Sequence, residues 1–167
     1  MAEAATFTEN QKVEDSQDGK YLTFQVGKEE YGIEIRLVTE IIGMQKITDF
    51  PDMPGFVKGV FNLRGKVITV IDVRLRFGFA EREYDERTCI VVTHIEDVAV
   101  GLIVDSVAEV LDIAEKNLDP PPRVQKGSES RYIKGLGKVD EQVKIILDIN
   151  KFLFDEELEI LTKAVRD

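Results

Sequence analysis

Apolar and polar residues alternate in short runs along most of the chain, and glycines, prolines or charged turns separate the runs. Tyr21-Leu22-Thr23-Phe24-Gln25-Val26 and Tyr31-Gly32-Ile33-Glu34-Ile35, joined by Gly27-Lys28-Glu29-Glu30, predict a hairpin. Val38 to Ile42 predicts another strand, although Ile35, Val38 and Ile42 also fit a helical turn. Pro51, Pro54 and Gly55 make the next stretch a loop. A second hairpin follows, with Phe56 to Phe61 and Lys66 to Asp72 flanking the turn Asn62-Leu63-Arg64-Gly65. Ala80 to Glu86 reads as a polar linker. Residues 1–19 carry no periodicity and are expected to be a disordered tail. Residues 154–167 are expected to hold a C-terminal helix, with Asp155 as its N-cap and acids in its first turn.

Beyond the linker the same plan restarts. Tyr31-Gly32-Ile33 matches Val100-Gly101-Leu102 at an offset of 69, Gly32 to Gly101. At that offset Val38 meets Val107, Glu40 meets Glu109 and Ile41 meets Val110. Phe56-Val57-Lys58-Gly59 then matches Tyr132-Ile133-Lys134-Gly135 at an offset of 76, Gly59 to Gly135, which also aligns Asp72 with Asp148. The proline-rich run from Asp119 to Arg123 accommodates the extra residues. The chain therefore reads as an internal duplication. Its halves, approximately 20–79 and 87–153 within one domain of 20–153, would each supply about five short strands. No helical crossover is evident, so antiparallel barrels are expected over parallel sheets. Each half is marginal for burying a core of its own, so the two should pack together around a groove.

Charge and rare residues narrow the function. Lys+Arg number 22 against Asp+Glu 32, a net charge of −10, which disfavours a nucleic-acid partner. No run approaches the length of a membrane-spanning helix, so no direct membrane insertion is expected. The single cysteine, Cys89, sits in an apolar run and reads as a buried, inert thiol suited to a reducing cytoplasm. With one histidine, His94, there is no metal-ligand spacing and no nucleophile triad, and the glycines fit no phosphate-binding loop. Asp72 and Asp148 could be drawn as a glycosidase pair. Symmetry offers a simpler reading, in which both accept backbone hydrogen bonds at a strand end. No enzyme activity, cofactor or metal is expected.

What distinguishes the halves is the hairpin tip. The first has Asn62-Leu63-Arg64-Gly65 where the second has Lys138-Val139-Asp140-Glu141. Glu40 is the obvious partner for Arg64. An exposed turn arginine, worth less than ~1 kcal/mol as a surface pair, fits the residues equally well.

The run Glu30-Tyr31-Gly32-Ile33-Glu34-Ile35, the run Val38-Thr39-Glu40-Ile41, and above all Phe56-Val57-Lys58-Gly59-Val60-Phe61-Asn62-Leu63-Arg64-Gly65 closely resemble the CheW family of bacterial chemotaxis coupling proteins. The resemblance extends from Lys20 to about Leu153. With no kinase or receiver segment in the sequence, the expectation is the free-standing form, not the module fused in CheV or in the kinase. The family often has Pro at the position of Thr69 and Leu at that of Val73, departures that leave the function intact.

The resemblance implies two intertwined, SH3-like five-stranded barrels. It implies a non-catalytic adaptor joining the tips of methyl-accepting chemotaxis proteins to the regulatory domain of the histidine kinase CheA. Such a protein would be cytoplasmic, recruited to membrane-associated receptor arrays, and a monomer when isolated. The receptor-facing set maps onto Val38, Glu40, Gly59, Arg64 and Val110, which favours the Glu40–Arg64 ion pair. The kinase face is assigned to Met44, Ile47, Phe56 and Val67. Core packing fits each of these four as well, because alternation alone does not say which strand face is dry.

Overall fold

The alternating runs become strands where expected. In the computed structural model, which describes residues 18–121 and 132–153, β1 (Lys20–Val26) and β2 (Glu29–Glu34) form the first hairpin. Both readings of the next stretch hold in part: one 3-10 turn, Ile35–Leu37, precedes β3 (Val38–Gly43). The second hairpin is β4 (Val57–Leu63) and β5 (Lys66–Asp72), closed by the short helix α1 (Val73–Arg76). The second half repeats this with β6 (Cys89–Ile95), β7 (Val98–Val104), β8 (Ser106–Asp112), the two-residue β9 (Leu118–Asp119), β10 (Ile133–Val139), β11 (Gln142–Leu147) and α2 (Ile149–Leu153). Of the tail predicted at 1–19, Asp18 and Gly19 form an ordered turn whose Gly19 carbonyl accepts from the Ile113 N–H, and the rest, like the helix predicted at 154–167, lies outside the described residues.

The strands assemble across the repeat. One sheet runs β8-β1-β2-β11-β10-β9 and the other β3-β6-β7-β5-β4. Each therefore mixes strands of both halves, and the linker at 80–86 divides the sequence repeat without dividing the sheets. The expectation of purely antiparallel pairing needs correction. β2 pairs with β11, and β5 with β7, in parallel. Parallel neighbours need a long connection between them. Here the long intervening stretches of chain, residues 35–141 and 73–97, supply it, so no helical crossover is required.

Registers confirm the duplication at residue level. Tyr21 opposite Glu34 recurs as Ile90 opposite Ile103, and Leu22 opposite Val110 recurs as Val91 opposite Ile41. The parallel pair Thr69 with Val100 recurs as Ile145 with Tyr31. Even the bulges match, between Val57 and Gly59 and between Ile133 and Gly135. At the first bulge Thr48 exchanges backbone hydrogen bonds of 2.8 and 2.9 Å with Val60, joining the segment after β3 to β4. A Cβ on Gly59, whose φ is +142°, would lie 2.0 Å from the Thr48 carbonyl oxygen, so only glycine permits that approach.

The largest core belongs to neither half alone. It joins Leu22, Phe24 and Ile33 to Ile71, Val91, Leu102, Leu147 and Phe152. A smaller cluster of Phe61, Ile68, Val70, Ile90, Val92 and Ile103 fills the second sheet. Tyr21, Ile113 and Ile146 form a third. Each fully buried large side chain is worth about 1.5–3 kcal/mol. Because each cluster draws residues from both halves, the halves stabilise one another. Where they meet, Arg76 lies 4.7 Å from the ring centre of Phe56 and 4.6 Å from that of Tyr132, two residues equivalent under the repeat.

Candidate functional site

Asp72 and Asp148 hold backbone, as symmetry suggested. Asp72 caps α1, accepting from the Leu75 N–H at 3.3 Å, and its own N–H donates to the Phe56 carbonyl. Asp148 accepts from the Lys151 N–H at 3.1 Å and donates to the Tyr132 carbonyl. Asp72 is only 2% exposed and also accepts from the Tyr84 hydroxyl at 2.7 Å. Burial first, and that hydrogen bond to a carboxylate second, push the Tyr84 phenol well above its ordinary range. His94 is exposed. Burial raises the half-buried Cys89 thiol, which leaves it mostly protonated near neutral pH. Among the described residues no three His, Cys, Asp or Glu side chains converge on a metal position.

The polar feature of note is the first hairpin tip. Arg64 adopts a left-handed backbone, φ +50°, and the Asn62 side chain accepts from the Gly65 N–H at 2.8 Å. This turn, together with the Thr48–Val60 bridge, brings the tip beside β3, where Arg64 forms an ion pair with Glu40. The Arg64 side chain is 71% exposed and that of Glu40 30%, so the pair adds little to stability.

The other proposed contact residues divide by burial. Val38 is half-buried against the shared core, and Gly59 is buried beneath Thr48. Val110 is half exposed on β8, in the other sheet from Glu40 and Arg64. Met44 and Ile47 pack on the second sheet's core, and Phe56 packs on the shared core under Arg76. Val67 stands free at 68% exposure. Five exposed large apolar side chains among the described residues, Ile41, Phe50, Phe79, Tyr84 and Val143, were not in the sequence-derived set. Ile41 is the repeat equivalent of Val110, and Val143 that of Val67. Applying the repeat offsets to the two chosen valines would have found both.

Residues 20–157 match the family described as the CheW-like domain. The chain belongs to the CheW-like family. This CheW-like chain is 36% identical over 147 residues to the chemotaxis protein CheW of Klebsiella aerogenes, covering 88% of this chain and 89% of that one. It is 34% identical to the chemotaxis protein CheW of Treponema pallidum, with 84% and 85% covered. The crystal structure of the scaffolding protein TtCheW from Thermoanaerobacter tengcongensis superposes with a TM-score of 0.76 at 34% identity, covering 83% of this chain and 94% of that one. Membership in the CheW-like family makes the chain a chemotaxis scaffold or adaptor protein.

Proposed function

We propose that this chain couples the cytoplasmic tips of methyl-accepting chemoreceptors to the histidine kinase CheA, without catalysing a reaction of its own. The observation that carries this reading is the Arg64–Glu40 pair, presented on a hairpin tip in a family of chemotaxis scaffolds. Val38 and Val110 complete the receptor-facing surface, with Gly59 acting from beneath by shaping the strand. Val67 is the open member of the kinase-facing set, while Met44, Ile47 and Phe56 support it from the core. Recruitment to receptor arrays would come through these protein contacts.

A scaffold with two faces on one core controls a kinase by linked binding. Receptor engagement and kinase docking bias each other reciprocally through a shared coupling free energy. Repetition of weak contacts in an array adds avidity. The test is co-sedimentation of the purified chain with receptor-containing membranes, with and without CheA. Recovery in the pellet is expected, with a several-fold loss for Val38→Asp. A folded Val38→Asp variant that pellets like the parent would refute the receptor face.

A further inference from the structure

Followed through the described strands in order, the chain passes from one sheet to the other at two places. The first is the 3-10 turn between β2 and β3, centred on Arg36, and the second is Asp105, alone between β7 and β8. Arg36 and Asp105 are equivalent under the offset of 69. A matched pair of short connections therefore joins the two sheets, and the ends of elements are where hinges form.

The two connections are held differently. At the first, the exposed Arg36 pairs at 3.2 Å with Glu34, two residues back along the same connection, so that pair spans no gap between the sheets. The turn opens instead onto a groove of about 580 Å³, lined by His94 and Ile95 from the five-stranded sheet and by Lys134 from the six-stranded one. At the second, one carboxylate gathers three elements. Asp105 accepts from the Gly27 N–H at 2.9 Å, in the turn between β1 and β2 of the six-stranded sheet. It accepts from Arg82 at 3.1 Å, in the linker that joins α1 to β6, and faces Arg74 of α1 at 3.6 Å. Both arginines stand on the five-stranded side, so these contacts tie one sheet to the other.

The linker is itself pinned to the five-stranded side, with Glu81 on Lys58 at 3.0 Å and Tyr84 on Asp72 at 2.7 Å. The Asp105 and Arg74 side chains are 13% and 19% exposed. Arg74 Nε and Nη1 are buried without a hydrogen-bond partner among the described residues. Removing the carboxylate would leave that cation unanswered, a larger loss than breaking a surface pair. The proposed receptor set straddles the same joint. Glu40 and Arg64 lie on the five-stranded side, and Val110 lies on β8, just past Asp105. The shape of that surface therefore depends on how one sheet is set against the other.

We propose that Asp105 is a positioning residue, a clasp that fixes the setting of the two sheets and so holds Val110 in place relative to Glu40 and Arg64. Its second part rests on the receptor-facing reading. The test places nitroxide labels on the exposed, equivalent positions Val67 and Val143, one on each sheet, as Val67→Cys and Val143→Cys in a full-length Cys89→Ala chain. Distances are read by pulsed electron resonance, and unlabelled single variants are co-sedimented with receptor membranes. Asp105→Asn keeps an acceptor for Gly27 and loses the charge. It should broaden the distance distribution and lower recovery several-fold in a protein that still unfolds cooperatively. Arg82→Gln should do the same to a smaller extent, and it carries the comparison if Asp105→Asn does not fold. Arg36→Gln, at the equivalent connection, should leave both readings as in the parent. The parent's distribution retained in folded Asp105→Asn, or equal broadening by Arg36→Gln, would overturn the clasp whatever the receptor does. A broadened distribution with full recovery would overturn the positioning role. A parent chain that does not pellet would refute the receptor reading and with it that role, while the distances still decide the clasp.

Discussion

The two hairpin tips of the molecule share a backbone and differ in charge. Arg64 and Asp140, equivalent under the repeat, both sit in the left-handed region at φ +50° and +56°. The first tip presents a guanidinium paired with Glu40, while the second presents a carboxylate. Duplication thus supplied two copies of one geometry, and a change of charge distinguishes them. Charge differs likewise at the equivalent positions Asp105 and Arg36. Backbone registers, bulges and strand-end caps have stayed alike because the fold needs them in both halves.

The sharpest way to break that equivalence is at the matched bulges. A Cβ at Gly59 would meet the Thr48 carbonyl at 2.0 Å, whereas one at Gly135 would meet the Asp119 carbonyl at 2.8 Å without a positive φ. In urea unfolding, Gly59→Ala is expected to cost about 3 kcal/mol or prevent folding, and Gly135→Ala roughly half as much. Equal losses would show that the two closures are energetically the same. Next come the caps. Asp72→Ala removes a buried acceptor with two partners and should cost about 2–3 kcal/mol, whereas Asp148→Ala, at a more open cap, should cost about 1 kcal/mol.

A smaller effect is expected from pH. The Tyr84 phenol ionises far less readily in the fold than in the unfolded chain, so its contribution is fully present below the ordinary phenol range near 10 and is lost as pH rises beyond it. The stability difference between the parent and Tyr84→Phe should be flat from neutral pH to about 9 and shrink above about 10. A difference that grows with pH would contradict the hydrogen bond to Asp72. The smallest effect concerns Cys89, whose raised thiol should react with iodoacetamide more slowly than free cysteine at the same pH.

Much of this was legible in one sequence. Local alternation located the hairpins, glycine and charge coincidences located the repeat, and the repeat assigned Asp72 and Asp148 to strand-end caps. A hairpin tip and a neighbouring strand made Glu40 the obvious partner for Arg64, but only the resemblance to the CheW family favoured the pair over an exposed arginine. The exchange of strands between halves was not legible, because backbone hydrogen bonds leave no side-chain signature of which strand lies alongside. For the same reason alternation could not say that Met44 and Ile47 point into the barrel while Val67 points out. The close approach at Gly59 and the insertion of Arg76 between Phe56 and Tyr132 join residues far apart in sequence, and only the assembled fold reveals them.

The most direct measurement is a charge-reversal cycle at the first tip, read by co-sedimentation with receptor membranes. Glu40→Arg and Arg64→Glu should each reduce binding several-fold while changing stability by less than ~1 kcal/mol, and the double reversal should recover part of the loss. Simple addition of the two losses in a folded double variant, or binding indifferent to both single reversals, would contradict the account.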